Sequence, residues 1–125
     1  MAIKIGNVVQ AKVGTVAYTD TAAKTLFTLP SNAMVVRVTA FGTVASGGTS
    51  GTYTVKSQPT DGSSAAATLA TIDAYDTTID EEGYRGKMAG IAFARQATPQ
   101  YISVVYANGT GSAAAGSANI VVEYL

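Results

Sequence analysis

The sequence contains no cysteine, no histidine and no tryptophan among its 125 residues. Without thiolates and imidazoles, the chain cannot form disulfides, thiol nucleophiles or thiolate metal sites, and it lacks the usual general base at neutral pH. The sequence therefore lacks the residues that most hydrolytic active sites require. We predict that the protein is not an enzyme and that it uses no cofactor and no metal.

Charged residues are also scarce: they make up 13% of the chain, and the eight basic and eight acidic residues give a net charge of zero. Globular proteins usually carry about 25% charged residues. A neutral chain has no broad positive field to hold a phosphate backbone, so we expect no nucleic-acid partner. The residues that replace charge are mainly Thr, Ser, Gly and Ala, which solvate a free surface weakly. This composition predicts self-association.

Long apolar runs are missing as well. No segment approaches the ~18 apolar residues of a membrane span, and residues 1–10, MAIKIGNVVQ, lack the basic start and apolar core of a secretory signal. These absences predict no membrane contact and a protein made without export. A length of 125 residues fits one domain with one core, residues 1–125.

Apolar and polar residues alternate in several short segments, which is the pattern of half-buried β-strands. Gly- and Ser-rich breaks at 46–51, 58–64 and 108–117 separate these strands at the intervals expected of a β-sandwich or a barrel. The sequence therefore predicts an all-β, antiparallel fold. The residues that share an apolar face are Tyr53 and Val55; Ile102, Val104 and Tyr106; and Ala118, Ile120, Val122 and Tyr124.

Residues 24–44, KTLFTLPSNAMVVRVTAFGTV, hold two more apolar strands on either side of Pro30, Ser31 and Asn32. Proline fixes φ near −65° in a turn, and the Ser and Asn side chains bond the nearby backbone. We predict a β-hairpin at this point.

The middle of the chain, 64–96, gives a mixed signal, because its Ala and Leu residues favour a short helix and its β-branched residues favour strand. Five of the eight acids cluster there, and an exposed loop is the favoured interpretation. A Ca²⁺ or Mg²⁺ site remains an open alternative, since hard cations prefer oxygen ligands. The clustered acids are Asp73, Asp76, Asp80, Glu81 and Glu82.

Two segments resemble small virion proteins of tailed bacteriophages, in which LFTLP-x-x-A opens a hairpin and a V-V-E-Y strand ends the chain. These segments are residues 24–44 and the closing AGSANIVVEYL, residues 115–125. Residues 60–98 match no family. The resemblance implies an antiparallel β-sandwich of jelly-roll type with no catalytic residues to transfer.

Among such virion proteins, the small single-domain ones resemble head decoration, or cement, proteins. The resemblance therefore implies a homotrimer that binds the major capsid protein on the outer surface of the phage head and is made in the host cytoplasm. The alternative is a carbohydrate- or receptor-binding module of a phage tail or fibre. That module would use Tyr75, Tyr84 or Tyr101 as its platform, whereas Tyr53, Tyr106 and Tyr124 lie on apolar faces and are expected to fill the core.

The N-terminal segment carries four β-branched apolar residues ahead of the first predicted strand: Ile3, Ile5, Val8 and Val9. Chain ends stay disordered unless something binds them. The sequence therefore predicts an N-terminal arm, residues 1–12, whose four apolar residues form a partner interface.

Overall fold

The computed structural model describes residues 9–44, 51–73, 84–85, 87–88, 95–107 and 116–125. All regular structure in these ranges is β-strand, so the predicted all-β class is confirmed, and no helix long and apolar enough to cross a membrane occurs in them. The strands are β1 (Gln10–Ala17), β2 (Lys24–Leu29), β3 (Val35–Val44), β4 (Thr52–Pro59), β5 (Ala67–Asp73), β6 (Tyr84–Arg85), β7 (Lys87–Met88), β8 (Gln100–Ala107) and β9 (Ser117–Tyr124).

The strands form two antiparallel sheets. One has the order β1-β9-β3-β6 and the other β2-β8-β4-β5-β7. The two-residue β7 is an addition beside β5. In the remaining order, β1 lies next to β9 and β2 lies next to β8. That interleaving is the topology of a jelly roll. The predicted antiparallel β-sandwich of jelly-roll type is confirmed.

The core lies between the sheets and is built from alternate residues of the central strands. Ile102, Val104 and Tyr106 of β8 are buried, as are Ile120 and Val122 of β9. Every second residue of both strands points inward, as their alternation predicted. The two strands thus supply one layer of the core each.

Three of the tyrosines whose side chains the structure describes lie in this core. Tyr53 and Tyr106 are each 1% exposed, and Tyr124 is 4% exposed. The rings of Tyr53 and Tyr106 pack against each other with centroids 5.6 Å apart and an interplanar angle of 53°, a tilted arrangement favoured by aromatic quadrupoles. The prediction that these tyrosines fill the core is confirmed.

The predicted hairpin over residues 24–44 is wrong. β2 pairs with β8 in the five-stranded sheet, and β3 pairs with β9 in the four-stranded sheet. The turn itself forms: Asn32 adopts a φ of 64°, and the Ala33 amide donates to the Pro30 carbonyl over 3.3 Å. The turn reverses the chain direction but connects one sheet to the other, because β2 and β3 each pair with a strand from the C-terminal part of the sequence.

β1 shows little apolar alternation, and no sequence pattern predicted it. Its inward positions include Lys12, whose Nζ donates to the Thr28 carbonyl over 2.9 Å. They also include Gly14, where an added Cβ would lie 2.9 Å from the Leu26 Cβ. β1 begins at Gln10, so residues 10–12 of the predicted arm belong to a strand that pairs with β9.

We expect Val122→Ala to destabilise the protein by about 2 kcal/mol, because Val122 is fully buried and loses two methyl groups from the core. Val121→Ala is the matched control, since the half-buried Val121 faces outward on the same strand, and we expect it to cost less than about 1 kcal/mol. Urea unfolding of dilute protein measures both. Equal losses would contradict the register of β9.

Candidate functional site

The predicted interface residues lie at the N-terminal boundary of the described structure. Ile3, Ile5 and Val8 fall outside the described residues. Val9 is described, and its side chain is 52% exposed immediately ahead of Gln10. The interface and the arm of residues 1–9 therefore stay predictions, but the point at which the arm would leave the domain is defined.

That point lies at one end of the sandwich, which we call the terminal end: the end at which β1, β3, β5 and β8 begin and β2, β4 and β9 end. Gln10 of β1 is paired with Tyr124 of β9, which is in turn paired with Val35 of β3. Beyond β9, Leu125 and Met34 exchange backbone hydrogen bonds of 2.9 and 3.2 Å. The first strand and the last thus reach the same end of the fold.

A cavity of about 140 Å³ opens at the terminal end, between the two sheets. Buried Leu29, Val35 and Leu69 line its interior, and exposed Ser64 and Ala65 lie at its rim. Its wall is mainly apolar. Local sequence patterns do not reveal this cavity, because its lining comes from widely separated segments.

Two polar side chains in the cavity wall bond to each other. Ser57 Oγ donates to Gln100 Oε1 over 2.9 Å, and Gln100 Nε2 donates to the Thr98 carbonyl over 3.0 Å. A buried polar group is costly only when it lacks a partner. Because these groups are already paired, the cavity suits an apolar occupant.

The outward face of the four-stranded sheet, which we call the valine face, carries exposed apolar side chains among its polar ones. Val13 is 61% exposed and Phe41 is 41% exposed, and Val121 lies between their strands. The remaining described members of the face are Ala11, Thr15, Arg37, Thr39, Ser117, Asn119 and Glu123.

The two charges among the described side chains of the valine face neutralise each other. Arg37 Nε donates to Glu123 Oε2 over 2.6 Å, and Arg37 Nη2 donates to Glu123 Oε1 over 2.9 Å. This bidentate bonding raises the pKa of Arg37 and lowers the pKa of Glu123, the hydrogen bonds being the main cause in each case. The face therefore carries no net charge among its described side chains.

The outward face of the five-stranded sheet, the threonine face, differs in composition. It presents hydroxyl groups to solvent, together with Lys56 and an exposed Tyr101. Hydroxyls can bond water, whereas the exposed Val13 and Phe41 side chains of the valine face cannot. The two outer faces therefore differ in how much they gain from a partner. The threonines are Thr25, Thr28, Thr52, Thr54, Thr68 and Thr71.

The other candidate residues are only partly described. Asp76, Asp80, Glu81, Glu82 and Tyr75 fall outside the described residues, and Asp73 and Tyr84 are described only as members of β5 and β6. In the part of the chain that the structure covers, no three potential metal ligands cluster. A cation site within residues 73–82 remains an open alternative.

The fold is similar to that of chains in two solved phage capsids. One is from the acidic stable capsid structure of Helicobacter pylori bacteriophage KHP30, with a TM-score of 0.60 and 16% identity over 95% of this chain and 89% of that chain. The other is from the cyanophage Pam1 capsid asymmetric unit, with a TM-score of 0.59 and 21% identity over 99% of this chain and 89% of that chain. This fold occurs in phage capsids.

No protein-family model and no curated protein matches the sequence. The likeness to the two capsid chains extends over nearly the whole chain and is one of fold. At that level it confirms the resemblance to phage virion proteins that the segments 24–44 and 115–125 predicted.

Replacing Glu123 with Gln should make the protein slightly less stable at neutral pH and less sensitive to acid. Because Arg37 lowers the folded-state pKa of Glu123 below its ordinary 4.5, the ion pair stabilises the fold above that value. Its contribution is lost as the pH falls through the lowered folded-state pKa. We expect the melting temperatures of the wild type and E123Q to differ at about pH 7 and to converge near pH 3.

The double variant R37Q/E123Q is the control for this pair, because it removes both charges and leaves neither unpaired. A gap between the wild type and E123Q that is the same at both pH values would contradict a stabilising role for the ion pair.

Proposed function

We propose that the protein is a bacteriophage capsid decoration, or cement, protein. It binds the outer surface of the phage head through the major capsid protein and self-associates as a homotrimer. It is made in the host cytoplasm and carried on the virion. Its role is structural rather than enzymatic.

The observation that carries the proposal is the jelly-roll fold, which the chain shares with chains of two phage capsids over 95% and 99% of its length. The similarity covers both sheets, so the support does not rest on the short motifs at the two ends of the sequence. The absence of histidine and cysteine agrees with a structural role.

The valine face supports contact with a shell. Burial of Val13 and Phe41 against a partner is favourable, and the Arg37–Glu123 pair presents no unpaired charge to that partner. The threonine face opposite has hydroxyls that can remain in solvent. On this proposal the valine face lies against the major capsid protein and the threonine face points away.

A tail or fibre module that binds carbohydrate or a receptor is the second candidate. Tyr101, at 43% exposure, favours it, because exposed aromatic rings serve as sugar platforms. It is the one exposed tyrosine among the side chains that the structure describes. Binding to a glycan array together with failure to bind shells would favour this candidate over the decoration protein.

Purified protein should co-sediment with undecorated shells, and Val13→Lys should weaken this binding by about tenfold or more, because it places a charge in an apolar contact. Thr28→Lys is the matched control: Thr28 is also exposed and on an edge strand, but it lies on the threonine face. We expect T28K to bind as the wild type does. Equal loss in both variants, or no co-sedimentation of the wild type, would contradict the proposal.

Deletion of residues 2–9 should abolish shell binding, because it removes the predicted interface residues of the arm. It should leave the melting temperature within about two degrees of the wild type, because the pairing of β1 begins at Gln10. Differential scanning calorimetry and co-sedimentation measure the two effects. If the truncated protein unfolds, or decorates shells normally, the arm prediction is wrong.

A further inference from the structure

The cavity at the terminal end has no occupant from the described part of its own chain, although its walls are built to take an apolar group. Leu29 is 1% exposed, Leu69 is 3% exposed and Val35 is 6% exposed, so the interior is shielded from water, while Ser64 and Ala65 leave a route in from the surface. A wholly apolar cavity of roughly 150 Å³ accepts a benzene-sized group, and the wall here is mainly apolar although it includes Gln96 and Gln100. The volume of about 140 Å³ is therefore sufficient for a branched aliphatic side chain.

The N-terminal segment leaves the domain at the same end. Gln10 lies two strand positions from Val35 in the four-stranded sheet, a separation of about 10 Å at the usual strand spacing. The eight residues that precede Val9 reach roughly 26 Å when extended. They include Ile3, Ile5 and Val8, which are apolar and β-branched.

Strand β9 separates Gln10 from the cavity of its own domain. Tyr124 lies between Gln10 and Val35, and the paired backbones of Leu125 and Met34 extend the sheet beyond it. Val9 is 52% exposed, so the chain at this point is not packed onto the end of its own sandwich. These contacts favour a cavity on a neighbouring molecule.

We infer that residues 1–8 of one copy insert Ile3 or Ile5 into the terminal-end cavity of a second copy. Each protomer then donates one segment and accepts one, which closes a ring when the rotation between copies allows it. The inference rests on the self-association that forms part of the proposed function, and it identifies the surface responsible.

The absence of native cysteine allows a direct test, because introduced thiols are the only ones present. One full-length chain carries Ile5→Cys and a larger tag, and a second chain carries Ser64→Cys at the cavity rim. The two are mixed and oxidised in solution and on undecorated shells. We expect a disulfide-linked heterodimer on a non-reducing gel, and the same experiment with Ile3→Cys covers the other insertion register.

Two control pairs measure cross-linking by random collision: Lys4→Cys with Ser64→Cys, and Ile5→Cys with Ser63→Cys. Lys4→Cys replaces the neighbour of Ile5 that faces the opposite side in an extended segment, and Ser63→Cys replaces the exposed neighbour of Ser64, which does not line the cavity. We expect Ile5→Cys or Ile3→Cys with Ser64→Cys to give at least fivefold more heterodimer than either control. Equal yields in all pairs, or no cross-link from Ile3 or Ile5, would overturn the inference.

A single chain that carries both Ile5→Cys and Ser64→Cys separates insertion into a partner from insertion into the same molecule. Linked oligomers support exchange between copies. A monomer with an internal disulfide would overturn it, because the segment would then occupy its own cavity.

Filling the cavity provides an independent measurement. Ala67 lines the cavity, so Ala67→Leu should occupy it and reduce the mass measured by light scattering to that of the monomer at high protein concentrations where the wild type associates. Its melting temperature in dilute solution should be at or above that of the wild type. Ala66→Leu is the control, because the exposed Ala66 does not line the cavity. Unchanged association of A67L would overturn the inference.

Shell binding of the same variants separates this inference from the proposed function. Cross-linking between copies without binding to shells supports segment exchange and contradicts the decoration role. Binding to shells without cross-linking supports the decoration role and contradicts segment exchange.

Discussion

Residues 100–107 and 117–124 form an interior strand of each sheet, and their inward side chains belong to the buried core that joins the two sheets. β8 pairs with β2 and β4, and β9 pairs with β1 and β3, so four earlier strands find their places only when the last part of the chain is present. Gln10 and Tyr124 come from opposite ends of the sequence and lie side by side. Such non-local pairing makes folding slow, because loop closure precedes the favourable contacts.

This inward packing determines which surfaces remain for partners. The exposed edges of β1 and β2 are closed by lysines: Lys12 Nζ donates to the Thr28 carbonyl, and Lys24 Nζ donates to the Thr15 carbonyl, each over 2.9 Å. Lysines at edge strands oppose pairing with strands of other molecules. Association through these two edges is therefore disfavoured, and the outer faces and the terminal end are candidate surfaces for it among the described residues. Of these, the valine face and the cavity have the apolar area that gains from burial.

The parts of the fold that were predictable from the sequence are those whose signal is local. β8 and β9 alternate strictly because both are central strands with one face in the core, and their buried residues were identified correctly. β1 was missed because an edge strand tolerates Lys12 and Gly14 on its inward face. The pairing of β2 and β3 was wrong because alternation shows that a segment is a strand but does not show its partner. The cavity and the Arg37–Glu123 pair join residues distant in sequence, so no local pattern pointed to either.

The proposed contact between copies is made by one apolar side chain and is therefore weak. Burying an Ile or Val side chain contributes about 1.5–3 kcal/mol at best, whereas a millimolar dissociation constant already corresponds to about 4 kcal/mol. Free protomers joined only by exchanged N-terminal segments would therefore separate at low concentration. When the valine face holds neighbouring copies on one surface, the second contact becomes intramolecular and its effective concentration rises to the millimolar range. On the proposed function, the two surfaces would then reinforce each other and make association strong on the shell and reversible away from it.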